Sequence, residues 1–120
     1  MTGIWPGETQ CVVMLGFDVD GPSAMIRRNP EVERMPSARS MGEFGPDVAM
    51  PRILEMLRDH EIPASFYIPG WVAERWPGTV EAIARDGHEV AHHGYLHEPP
   101  ASLVGDEEGE VLDRGSAILE

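Results

Sequence analysis

The stretch Cys11-Val12-Val13-Met14-Leu15-Gly16-Phe17, followed at once by Asp18-Val19-Asp20-Gly21-Pro22, decides the fold. Residues 11–17 form a continuous apolar run with β-branched content, which reads as a strand buried on both faces, as in a parallel sheet. Cys11, inside that run, is expected to be a small buried hydrophobe. Gly21-Pro22 breaks the strand. Asp18 and Asp20 are two residues apart, so in extended chain both carboxylates point to one side. Taken alone, they read as a polar turn with capping aspartates.

Outward from this strand, the pattern alternates. Residues 23–46 have no clear period and contain Pro30, Pro36, Pro46, Gly42 and Gly45, which predicts a long loop. Its arginines, Arg27, Arg28, Arg34 and Arg39, read as a solvated basic face or as contacts for a substrate carboxylate. Met50, Ile53, Leu54 and Leu57 are spaced as one face of a helix, with Asp47 favouring its start and Pro51 fitting its first turn. His60 falls near its C-terminus, where the helix dipole favours a cation. Ala64 to Ile68 predicts a second strand, and Trp71 to Arg75 a short helix. Trp71 and Trp76 read as packing or as the wall of an apolar pocket. Thr79 to Asp86 predicts another helix, with Val80, Ile83 and Ala84 on its apolar side and Gly87 at the position after its cap. Glu89-Val90-Ala91-His92 predicts a third strand, and a further helix starts at Asp106 with Val111, Leu112, Ile118 and Leu119 as its apolar pairs. Strands alternating with helices indicate a parallel α/β architecture.

Composition bounds the functional classes. A chain of 120 residues is at most one domain, and no run approaches the ~20 apolar residues of a membrane span. The net charge of −12 argues against nucleic-acid or anionic-membrane partners, which call for basic patches. All nine basic residues are arginine. The single cysteine rules out an internal disulfide framework, and Met1 to Gln10 show no basic region followed by an apolar stretch. Together these favour a cytoplasmic setting.

The chemistry concentrates in Ala91-His92-His93-Gly94-Tyr95-Leu96-His97-Glu98, which holds three of the five histidines. Neutral imidazole is the commonest metal ligand, and His93 and His97, four apart, can reach one ion. The Asp18/Asp20 pair and the His93/His97 pair both follow directly on predicted strands. In parallel α/β folds, active sites form beyond the C-terminal ends of strands. One Asp and two His make the three protein ligands of a catalytic zinc site, with a position left for water, and a second carboxylate can take the water proton. Spacing alone does not say which aspartate does which. His92 should face away from His93, and His88 reads as structural. Glu98 reads as an orienting partner of a ligand histidine or as an exposed acid. Two His and one carboxylate also form the facial triad of non-haem iron oxygenases, which the α/β pattern disfavours.

These residues resemble the polysaccharide deacetylase (NodB-homology) family. The matching pieces are Phe17-Asp18-Val19-Asp20-Gly21-Pro22, Pro63 to Ile68, Gly87-His88-Glu89-Val90 and His93-Gly94-Tyr95-Leu96-His97, in family order over nearly the whole chain. The resemblance implies a distorted (β/α) barrel, TIM-barrel-like, with a divalent metal, zinc, that hydrolyses a non-peptide carbon–nitrogen amide bond. It also implies Asp18 as catalytic base and Asp20, His93 and His97 as metal ligands. No substrate-binding residue is assigned.

The chain departs from the common family pattern at two positions. Val19 stands between aspartates that are usually adjacent, and Gly94 stands where Ser or Thr is usual. Both departures, together with the long loop expected over residues 23–46, resemble the intracellular subgroup of peptidoglycan-deacetylase-like proteins and cyclic imide hydrolases. The partner is therefore expected to be an N-acetylated glycan or another amide-containing small molecule, such as a cyclic imide or ureide. The family's later motifs, an Arg-containing loop and a late His acting as general acid, have no counterpart before Glu120. Residues 1–120 are accordingly expected to be a partial domain, the N-terminal portion of an incomplete barrel. Little activity alone, or none as a truncated fragment, is expected, together with an apolar edge that promotes homo-oligomer formation.

Overall fold

The structure, a computed structural model, describes residue 7 and residues 9–120. Most of the Met1 to Gln10 segment, read above for a leader, therefore lies outside the described residues. Three parallel strands form the sheet, in the order β1 (Gly16–Asp18), β2 (Ser65–Ile68), β3 (Glu89–His92). Between and after them run α1 (Ser23–Arg28), α2 (Pro36–Phe44), α3 (Met50–Asp59), α4 (Gly70–Arg75), α5 (Pro77–Arg85) and α6 (Glu107–Leu119). The architecture is the expected mixed α/β arrangement with a parallel sheet.

β2 is central, in register Phe17↔Phe66 with β1 and Phe66↔Val90 with β3. Phe66 and Ile68 are buried, together with Leu54 and Leu57 of α3, Val72 of α4 and Ile83 of α5. Phe17 stacks on Phe66 at 5.1 Å between ring centroids. Each such side chain contributes about 1.5–3 kcal/mol by leaving water. The α3 face is the one that the spacing predicts, with Met50, Leu54 and Leu57 buried. In α5, Ile83 is the buried residue, but Ala84 is exposed and Ala82 packs on the core in its place. Alternation along the strands puts Asp18, Tyr67 and Ala91 on the sheet face opposite Phe66.

Two expectations are corrected. The apolar run of residues 11–17 is not a doubly buried strand: only Gly16–Asp18 pairs, while Val13 and Met14 are 79% and 87% exposed and Cys11 is exposed. The register explains the short ladder. Continuing it backwards would set Met14 opposite Pro63, which has no N–H to donate, and among the described residues β1 has a neighbour on one side only. Second, residues 23–46 are helical and not a long loop. Pro30 and Pro36 each sit in the first turn of a helical segment, where a fixed φ suits the helix and no N–H is missed, whereas Pro46 and Pro51 lie inside the continuous run from α2 into α3, at the π turn and just after it. α2 runs into α3 through a π turn, Gly45–Ala49. Two of the arginines there pair along their own helices, Arg39 with Glu43 at 2.7 Å and Arg34 with Glu31 at 3.4 Å.

Candidate metal centre

The C-terminal end of β1 is pinned by Val19, which is buried and donates its N–H to the Tyr67 carbonyl at 2.9 Å. The chain then turns into α1, and the Asp20 carbonyl accepts from Ser23 N–H at 3.0 Å. This sets the Asp20 side chain at the sheet's C-terminal edge.

His92, the last residue of β3, packs toward the helices, against Gly115 of α6. Its Nδ1 accepts from Gly94 N–H at 3.1 Å. His93 emerges on the opposite face, its ring edge-on to Tyr67 at 6.4 Å. Gly94 has φ +74°, a conformation other residues adopt at a cost, and the Gly at this position follows from it. The carbonyls of Gly94 and Tyr95 accept from Gly70 and Trp71, the first amides of α4, at 3.0 and 2.8 Å. The Tyr95 hydroxyl donates to Glu74 at 2.8 Å, and the Arg114 guanidinium lies 3.3 Å over its ring. Burial first, and then the bond to Glu74, push the Tyr95 hydroxyl pKa above its ordinary value. The loop ends at His97, itself in the left-handed region at φ +57°.

The result is convergence. One ligating atom each from Asp20, His93 and His97 lie within 4.8 Å of one another. The His97 and His93 Nε2 atoms stand 3.3 and 3.6 Å from the two Asp20 carboxylate oxygens, and the two rings are perpendicular, 4.8 Å apart. Asp20 Oδ1 is buried and has no hydrogen-bond partner among the described residues. A buried carboxylate oxygen with no donor, facing two imidazoles, is the donor set a divalent cation satisfies. Asp18 stands outside the cluster, exposed at the end of β1, and shares with Asp20 the wall of a cavity of about 410 Å³. A second cavity, about 380 Å³, opens beside His93 and His97 and has Leu103, Val111 and Leu112 in its wall. A third cavity, about 670 Å³, lies between Trp71, Trp76 and α2 and includes none of the three. Its polar groups already have partners: Trp76 donates to Asp47 at 2.7 Å, and Arg39 is paired with Glu43.

The other singled-out residues fall as follows. The His88 ring lies tilted against Phe66 at 5.4 Å between centroids, and both its nitrogens are buried without a partner among the described residues, so it packs and does not hydrogen-bond. His60 is the C-cap of α3. Glu98 is neither an exposed acid nor a partner of an imidazole. Its carboxylate accepts from the Tyr95 and Leu96 amides. The spacing of a Gly and a Glu within one histidine loop is the only trace of that bond in the sequence.

Fold and cluster together define the class: a parallel α/β protein that carries its polar constellation beyond the carboxyl ends of its strands. The chain belongs to the polysaccharide deacetylase family, whose model matches residues 41–120. It is 31% identical over 110 residues to a peptidoglycan deacetylase of Helicobacter pylori, covering 92% of this chain and 37% of that protein. It is 39% identical over 76 residues to a peptidoglycan-N-acetylglucosamine deacetylase of Bacillus cereus, covering 62% of this chain and 28% of that one. A crystal structure of a proposed polysaccharide deacetylase from Mycobacterium smegmatis superposes with a TM-score of 0.93 at 40% identity, over 97% of this chain and 41% of that one. The chain thus spans well under half the length of these relatives. No helix among the described residues is long and apolar enough to cross a membrane.

Proposed function

We infer that the chain carries the metal-binding half of an N-deacetylase, with Asp20, His93 and His97 as ligands to a zinc ion and Asp18 as general base. The observation that carries this is the approach of three ligating atoms to within 4.8 Å, with Asp20 Oδ1 buried and unpartnered. Bound there, the ion would polarise an amide carbonyl and lower the pKa of a coordinated water. The residues of the chain do the rest. Asp20 would bring negative charge to offset the cation, and His93 and His97 would complete the donor set that holds it. Asp18, on the same sheet face as Tyr67 and beside the shared cavity, takes the proton of the attacking water. The substrate class is an N-acetylated glycan of the peptidoglycan or chitooligosaccharide kind, on the strength of what the relatives are called. Residues 1–120 are on this reading part of one deacetylase domain, and the single cysteine supports a reducing, cytoplasmic setting.

A second reading within the same family, a cyclic imide or ureide hydrolase, is favoured by Val19 between the aspartates and by Gly94. Zinc titration against a chromophoric chelator tests the centre directly. One equivalent should bind, Asp20→Ala should abolish binding, and Asp18→Asn should leave it nearly unchanged. Zinc lost with Asp18→Asn but kept with Asp20→Ala would reverse the two roles. Turnover of N-acetylglucosamine oligomers against a cyclic imide by a longer protein that contains this segment, with Asp18→Asn inactive on either, separates the two substrate classes.

A further inference from the structure

We propose that Glu98 is a positioning residue that shapes the ligand loop before any ion arrives. The proposal rests on the metal-centre reading above and extends it to a residue that is not itself a ligand. Two ligand histidines are separated by only three residues, so a single backbone arrangement must aim both rings at Asp20. The loop contains two left-handed residues, Gly94 at φ +74° and His97 at φ +57°. A non-glycine residue in that region costs roughly 1–2 kcal/mol, so His97 needs a compensating interaction. Glu98 supplies it. Its Oε2 accepts from Tyr95 N–H and Leu96 N–H, both at 2.9 Å, and its Oε1 accepts from Leu96 N–H at 2.8 Å. Charge-assisted bonds of this kind are about twice as strong as neutral ones. Both amides lie inside the His93–His97 loop, and the carboxylate bends the chain back over them.

Position 94 is coupled to this bond. A Cβ at Gly94 would lie 2.9 Å from Glu98 Oε2 and 3.4 Å from Glu98 N. A side chain at 94 and the Glu98 carboxylate therefore compete for one place, and the departure at Gly94 and the acid at Glu98 form a single device.

The experiment measures two quantities on the intact chain: amide hydrogen exchange at Tyr95 and Leu96 without metal, and zinc affinity by chelator competition. In the unaltered chain both amides should be protected. In Glu98→Ala their protection should be lost while that of Phe66 and Ile68 stays, and zinc affinity should fall about 10–100-fold, as for other residues that orient ligands. Glu98→Gln keeps an acceptor in the Oε2 place, so its loss should be clearly smaller; it also reads out the same role should the alanine variant not fold. Unchanged exchange and unchanged affinity in Glu98→Ala would overturn the proposal. So would a fall in affinity accompanied by equal loss of protection at Phe66 and Ile68, which would mark a general stabiliser. An unaltered chain with protected amides but no zinc binding would overturn the metal-centre reading and leave Glu98 with a loop but no ion to serve.

Discussion

Replacing Gly115 by alanine should destabilise the chain, although the same change at Gly109, in the same helix, should not. Gly115 is the buried residue of α6, and an added Cβ would run into His92 Nε2 and lie 2.6 Å from Cδ2. The imidazole cannot simply rotate away, because its Nδ1 accepts from Gly94 N–H. Overpacking of this kind costs about 1–3 kcal/mol, and losing the hydrogen bond adds roughly 0.5–1.5 kcal/mol. Alanine's helix preference over glycine returns about 1 kcal/mol. The net expectation is a destabilisation of about 0.5–3.5 kcal/mol. At Gly109 nothing among the described residues lies within 4 Å of the added Cβ. There only the propensity gain remains, a few tenths to about 1 kcal/mol in favour of alanine. Urea denaturation followed by far-UV circular dichroism reads both. With a slope of about 1–3 kcal/mol per molar urea, the Gly115→Ala midpoint should drop by roughly 1 M and that of Gly109→Ala should rise slightly, at constant slope. If both variants are stabilised, α6 does not pack on His92 as described, and the account of how β3 ends is wrong.

Three other expectations follow from separate parts of the fold. The bond from Arg58, joining the end of α3 to the cap of α5 at 2.6 Å, and then the nearby cations hold the Asp86 carboxyl below its ordinary value. Its contribution to stability is therefore present above the ordinary carboxylate pKa and lost as pH falls through the lowered one, so Asp86→Asn should lower stability at neutral pH and flatten the acid limb of the stability–pH curve. Ser23 is fully buried and its hydroxyl has no partner among the described residues; Ser23→Ala should be neutral or stabilising by up to about 1 kcal/mol in the same urea assay, and a loss larger than that would mean the hydroxyl is satisfied. Val13 and Met14 are exposed apolar residues beside β1, which among the described residues is paired on one side only; Val13→Glu with Met14→Glu should reduce concentration-dependent association in sedimentation velocity while folded stability stays within about 0.5 kcal/mol.

What the sequence disclosed, and what it concealed, follows from how local each signal is. β3 is legible as Glu89–His92 because a helix stop at Gly87 and a histidine loop bracket it. The α3 face is legible because its spacing is unbroken from Met50 to Leu57. The cluster of Asp20, His93 and His97 is legible because both halves follow strands of one parallel sheet. Prolines misled: Pro30 and Pro36 each read as a breaker from the preceding side and as a helix start from the following side, and only the second applies here, while Pro46 is absorbed by a π turn inside a continuous helical run. Residues 11–15 misled because an apolar run announces burial, but burial needs a partner, and Pro63 denies one on the β2 side. The bond of Glu98 to the Tyr95 and Leu96 amides was out of reach because it runs to backbone, which carries no residue identity.

The spacing of the strand pairs bears on the order in which the molecule assembles. Ser65 pairs with Glu89 on one side and with Gly16 on the other, and the second pairing closes about twice as much chain. Each doubling of a loop costs about 0.6 kcal/mol more in closure entropy, so the β2–β3 unit is expected to nucleate and β1 to dock afterwards. His93 and His97 would then be in place early, and Asp20 would arrive last. A cation held by all three would act as a latch on that final docking step: its presence should slow the detachment of β1, and so slow unfolding, much more than it speeds folding.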